Sequence, residues 1–70
     1  MLSKEMIQEI LAKPSGLYGS KTFDENSPFA VVKRQVGVGF IIGRYVGPKE
    51  YQEDTYDEEG NLIDVSTYIE

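Results

Sequence analysis

The chain has no cysteine and no histidine among its 70 residues. Without cysteine there are no disulfides and no thiolate metal sites. Without histidine the commonest general base is missing, and with both absent the usual transition-metal centres are excluded. Positive charge is missing from one end: residues 50–70 carry eight acids and neither lysine nor arginine. Long hydrophobic runs are missing as well. The longest mostly apolar stretch, residues 36–42, falls far short of the roughly 20 residues that span a bilayer. Near the N-terminus, Glu5 and Glu9 interrupt the region where a secretory leader carries an apolar stretch. The expectation is a cytoplasmic protein, in a host cytoplasm if the chain is virus-encoded, with no membrane partner, no cofactor and no metal.

The charge that is present is polarised. All seven basic residues lie in residues 1–49, against four acids there, a formal +3; residues 50–70 stand at −8. A one-signed surface attracts basic surfaces and repels nucleic acid. Hydrophobic residues make up 40 % of the chain, ordinary for a folded protein. A chain of this size forms one small domain, residues 1–70, that buries only about 60 % of the surface its unfolded form exposes. Close packing must compensate, or self-association, so a homo-oligomer stays open.

Residues 3–13 read as an amphipathic helix, with Met6, Ile7, Ile10 and Leu11 on one stripe. Ser3 is a fitting N-cap, and Leu2 can meet Ile7 as a hydrophobic staple. Pro14 stops the helix and Ser15-Gly16 turns the chain. Residues 17–28 show no period, and Asp24, Glu25, Asn26, Ser27 and Pro28 form a loop. Strands are expected at about 29–36, 38–46, 51–56 and 62–69. In the second of these, Val38, Phe40 and Ile42 point one way while Ile41 and Tyr45 point the other, which suits an internal strand. A tight reversal near Gly37 and a bulge or bend at Gly43 are the simplest uses of the glycines there. In the last strand Ile63, Val65, Thr67 and Ile69 alternate with Leu62, Asp64, Ser66 and Tyr68, one core face and one polar face.

The string Tyr56-Asp57-Glu58-Glu59-Gly60-Asn61-Leu62 places Gly and Asn where a short hairpin loop needs positive φ. It resembles the tyrosine-aspartate hairpins of YD-repeat proteins, in a single copy, and the resemblance implies the turn alone. The fold class expected is α+β: an N-terminal helix on a four-stranded antiparallel meander. The alternative is a small SH3-like barrel with the same helix.

Several chemistries are weighed and set aside. Gly37, Gly39 and Gly43 are spaced G-x-G-x-x-x-G, one residue too long for a dinucleotide loop and followed by more strand. Asp54, Asp57, Glu58, Glu59 and Asp64 invite a calcium reading, but Tyr56 falls among the expected ligands and Ser66 replaces the closing acid. Paired carboxylates do acid–base chemistry only in a cleft that raises one pKa, and these cluster around a wet turn. Lys33, Arg34 and Arg44 beside Phe40 and Tyr45 hint at a single-strand platform. Internal pairing with Glu53, Asp54 or Asp64 suits these bases better, so direct nucleic-acid binding is not expected.

What is left is a binding surface without catalysis. Tyr51, Tyr56 and Tyr68 sit among the C-terminal acids, and tyrosine is enriched where interfaces concentrate their energy. The expected contact set for a basic partner protein is Glu53, Asp54, Tyr56, Asp57, Glu58, Glu59 and Tyr68. The expected role is a non-enzymatic inhibitor or regulator, of which a phage anti-defence or host-takeover protein is one example. A homo-oligomeric structural component and an SH3- or OB-like nucleic-acid binder are the alternatives.

Overall fold

The computed structural model describes residues 2–23, 25–27 and 29–70; Met1, Asp24 and Pro28 lie outside the described residues, so the expected loop at 24–28 is seen only in Glu25, Asn26 and Ser27. The order is α1 (Lys4–Leu11), β1 (Gly16–Gly19), a 3-10 turn (Ser20–Thr22), β2 (Val31–Gln35), β3 (Gly39–Gly47), β4 (Glu50–Asp57) and β5 (Leu62–Ile69). The strands form one antiparallel sheet in chain order, β1-β2-β3-β4-β5. The α+β class holds, with five strands instead of four. Among the described residues β1 and β5 each pair on one side only, so the sheet is open where the barrel alternative would close it.

The additional strand is β1, within the stretch read as turn and aperiodic loop. It is short, with Gly16 and Gly19 at its ends, Leu17 exposed and only Tyr18 half-buried, so no alternation could declare it. The helix starts as expected. The Ser3 hydroxyl accepts the Met6 N–H at 3.2 Å, satisfying one of the free donors of the first turn.

Cross-strand neighbours share a face, which divides the sheet cleanly. Val32, Arg34, Phe40, Ile42, Asp54 and Tyr56 lie on the side of α1. The core is Ile10 with Phe29, Val32, Phe40 and Ile42, walled by Leu2, Met6, Ile7, Leu11, Tyr18, Phe23 and Tyr56. The opposite face carries Leu17, Val31, Lys33, Ile41, Tyr45, Tyr51, Glu53, Thr55 and Tyr68, and no element among the described residues covers it.

Arg34 joins the helix to the sheet. Only 5 % exposed, it donates through Nη2 to the Leu11 carbonyl at 3.1 Å and through Nε to the Lys13 carbonyl at 3.3 Å. Its Nη1 donates to Gln35 at 3.1 Å and to Gly39 at 2.9 Å, within the β2–β3 hairpin. The guanidinium thereby takes up carbonyls at and just beyond the C-terminal end of the helix, where positive charge also suits the helix dipole. Glu58 closes the arrangement, 2.8 Å from Arg34 Nη1.

Three local expectations are corrected. Gly43 is not a bulge: the register shift lies between Tyr45 and Gly47, and Gly43 lacks a side chain because the Tyr51 ring lies across it. In the β4–β5 turn only Gly60 has positive φ, 83°; Asn61 does not. Finally, β5 has no core face. Ile63, Val65 and Ile69, expected inside, are 60 %, 49 % and 79 % exposed, and all lie outside the buried cluster around Ile10, Val32, Phe40 and Ile42.

Candidate functional site

The C-terminal ribbon, β4 with β5, holds the acids that the sequence singled out, but the fold uses them in different ways. Asp54 is buried on the α1 side. Its Oδ2 lies 3.3 Å from Arg44 Nη2, and its Oδ1 accepts from Gln52 Nε2 at 2.8 Å. Arg44 Nε is buried without a hydrogen-bond partner, so this pair is incompletely satisfied. Tyr56 stacks on Phe40, with centroids 4.8 Å apart and rings inclined by 9°. Burial raises its hydroxyl pKa, with the nearby Asp54 charge adding to the effect. Tyr56 belongs to the core wall, Asp54 is buried at 6 % exposure, and both face away from the open surface.

Asp57 organises the turn. Its Oδ1 accepts the N–H of Asn61 at 2.8 Å and of Glu59 at 2.9 Å. Those bonds, led by that from Asn61, hold its carboxyl below the ordinary carboxylate range. Glu58 accepts the Gly37 N–H, which lowers its pKa most, and the Arg34 contact lowers it further. The turn is thus bound to the β2–β3 reversal, and Gly60 lies against Ile7 of α1.

Of the seven expected contact residues, Glu53, Glu59 and Tyr68 keep their groups available. Among the described residues, Glu50, Glu53, Glu59, Asp64 and Glu70 make no salt bridge. Glu53 and Tyr68 share the open face with Asp64, Tyr51 and Tyr45. Tyr45 and Tyr51 meet edge to face with centroids 5.0 Å apart, and Tyr68 stands opposite Tyr51 on β5. Tyr51 has a raised hydroxyl pKa, first from burial and then from Glu53. The structure therefore brings together, on one uncovered surface, a row of tyrosines and two acids that make no salt bridge among the described residues, Asp64 accepting only the Ser66 hydroxyl at 3.5 Å.

Tyr45, Tyr51 and Asp64 were missing from the expected set. A signal for the first two exists: they flank the short Gly47-Pro48-Lys49 connection, and hairpin geometry makes such residues cross-strand neighbours. The three bases of the suspected nucleic-acid platform are dispersed. Arg34 is buried, Arg44 pairs with Asp54 as expected, and Lys33 stands exposed on the open face.

Among the described residues, no group of three or more acids stands close enough to hold a metal ion, and no helix is long and apolar enough to cross a membrane. Compared with protein-family models, with curated proteins and with solved structures, the chain matches none.

Proposed function

We propose that this chain is a small non-enzymatic binding protein that inhibits or regulates a basic partner protein through its C-terminal ribbon. The observation that supports the reading is the uncovered surface of β3, β4 and β5, where Glu53 and Asp64, without a salt bridge among the described residues, lie beside Tyr45, Tyr51 and Tyr68. Tyrosines give contact area at small entropic cost, and surrounding acids steer a cationic surface and reject phosphate backbones. A nucleic-acid-binding protein, whose groove is basic, is one partner of this chemistry. A virus-encoded protein directed at a host partner is one setting for it.

The contact set differs from the one the sequence suggested: Glu53 and Glu59 stay and Asp64 joins them as the charged members, while Asp57 and Glu58 hold the turn. The test is capture from an extract of the source cells with the wild-type chain and with the triple variant Glu53→Lys, Glu59→Lys, Asp64→Lys. Loss of the basic proteins held by the wild type, at low salt above all, is the expected result. Retention of the same proteins by both baits rejects the reading.

A second reading, a homo-oligomeric assembly component, is favoured by the exposed apolar side chains along β5: Leu62, Ile63, Val65 and Ile69. Sedimentation at several concentrations separates the two. A tight oligomer that buries β5 supports assembly, and a monomer supports docking.

A further inference from the structure

We propose that β5 accepts an added β-strand: an extended segment of the basic partner, alternating basic and apolar side chains, pairs along the free edge presented by Val65, Thr67 and Ile69. The inference rests on the docking reading above and specifies its mode.

The direction of the backbone groups follows from one hydrogen bond and the register. Glu70 donates its N–H to the Lys49 carbonyl at 2.8 Å, beside the pair Glu50–Ile69. In an antiparallel ladder, bonded pairs alternate with non-bonded ones. Tyr68 opposite Tyr51, Ser66 opposite Glu53 and Asp64 opposite Thr55 are therefore the bonded pairs. Val65, Thr67 and Ile69 turn their N–H and C=O groups outward, where no strand pairs with them.

From Val65 to Ile69 the edge carries few of the features that resist pairing. Natural edges are blunted by shortness, proline, lysine or a cover. β5 runs for eight residues, contains neither proline nor lysine, and among the described residues has no strand beyond it, with Val65 and Ile69 exposed. Its single bulge lies at the turn end, between Asp64 and Leu62, and leaves the stretch from Val65 to Ile69 regular.

The side chains state what kind of strand fits. On the α1 side, Val65 and Ile69 offer apolar contacts to alternate residues of an added strand. On the open face, Asp64 is exposed at the edge, and Ser66 is small enough to leave Glu53 within reach of a long basic side chain. A strand with lysine or arginine on one face and apolar residues on the other satisfies both rows. A second copy of the chain would bring its own Asp64 and Glu70 against this edge, and like charge opposes it. Nucleic acid supplies no strand ladder and is repelled. Charge complementarity therefore selects a basic extended segment over those occupants.

The probe is a synthetic octapeptide of alternating Lys and Val, titrated into isotope-labelled full-length chain at low salt. Amide exchange at Val65, Thr67 and Ile69 is expected to slow about tenfold or more at saturation, while the amides of Ser66 and Tyr68, already bonded to β4, change little. Thr67→Pro removes an outward donor without touching the β4 ladder, so the variant is expected to fold and to bind the peptide about tenfold more weakly. Thr67→Ala is expected to bind within about twofold of wild type. A peptide of four Lys followed by four Val, equal in charge, is expected to bind more weakly than the alternating one.

If a folded Thr67→Pro binds as the wild type does while Glu53→Lys with Asp64→Lys weakens binding, docking stands and strand addition is wrong. If neither change matters, both readings fail. A dimer of the chain alone that Thr67→Pro dissolves assigns the edge to a second copy and overturns the proposal. Should Thr67→Pro not fold, exchange in the wild-type complex decides: unaltered rates at Val65, Thr67 and Ile69 overturn it.

Discussion

β1, one edge of the sheet, is four residues long with glycine at each end; β5, the other edge, is eight residues long with neither glycine nor proline. The surroundings of the two differ as much as their lengths. Beside β1, the Tyr18 hydroxyl donates to the Pro14 carbonyl at 2.7 Å, and Ser15 Oγ accepts the Val36 N–H at 2.8 Å. Arg34 then fastens this end to α1 through the Leu11 and Lys13 carbonyls. β5 has bonds to β4 and little else, and its apolar side chains remain in water. Stability is concentrated where the helix lies, and the far edge is left free for contact. A long exposed edge is a liability unless something uses it.

The sharpest way to break this contrast is to cut the fastening. Arg34→Met removes a buried cation and leaves the Leu11, Lys13, Gln35 and Gly39 carbonyls without that donor. Hydrogen bonds to a charged group contribute about 1.5–3 kcal/mol each, so a loss of about 3 kcal/mol or more is expected. A chain this small holds only about 5 kcal/mol in total, so the variant should retain about 2 kcal/mol or less and unfold at much lower urea than the wild type. Thr67→Lys, on the opposite edge, should shift stability by no more than about 0.5 kcal/mol. Urea unfolding followed by circular dichroism measures both. Equal losses would mean that the two edges are equally integrated.

How much of this was legible follows the same division. Ser3, Met6, Ile7, Ile10 and Leu11 announced the helix because capping and a 3.6-residue stripe are local signals. The alternation of Phe40 and Ile42 against Ile41 and Tyr45 declared β3 because that strand is buried on one face and half-buried on the other. β1 gave no such signal, with a single half-buried side chain in Tyr18. For β5 the alternation was real but misleading: period two shows which side chains share a face, not whether anything covers that face. Val65 and Ile69 share the α1 side, yet both stand largely in water. The split of the acids was hidden for a related reason. Nothing in the string Asp57-Glu58-Glu59 distinguishes a turn organiser and an arginine partner from a free charge, because the partners Asn61, Gly37 and Arg34 are chosen by the fold.

A smaller effect separates those two structural acids from the free ones. Asp57 and Glu58 both have lowered pKa values in the folded chain, Asp57 through the Asn61 N–H and Glu58 through the Gly37 N–H. Their stabilisation is present above the ordinary carboxylate range and is lost as pH falls through the lowered folded values. The urea midpoint should therefore fall on acidification from pH 5 to pH 2. Glu58→Gln should lower the midpoint at pH 7 and flatten the acid slope, whereas Glu59→Gln, exposed and unpaired, should do neither. A slope unaffected by Glu58→Gln would remove the Arg34–Glu58–Gly37 contact from the account of how the turn is held.

The least effect on stability is expected at β5 itself, and that is where the comparison is finest. Val65 and Val32 are the same residue type on the same side of the sheet, but Val32 is wholly buried at 0 % exposure and Val65 stands at 49 %. Truncating Val32 to Ala removes core contacts and should cost roughly 1–3 kcal/mol. Val65→Lys removes no core contact, since the side chain already meets water and a lysine stem can lie along the same strand. The change in unfolding free energy should stay within about 0.5 kcal/mol. Lysine on an edge also discourages unwanted strand pairing, so light scattering of a concentrated solution should fall or hold steady. A Val65→Lys chain that loses as much stability as Val32→Ala would mean that β5 is covered after all, by a partner copy, and the edge could not then be free to receive another strand.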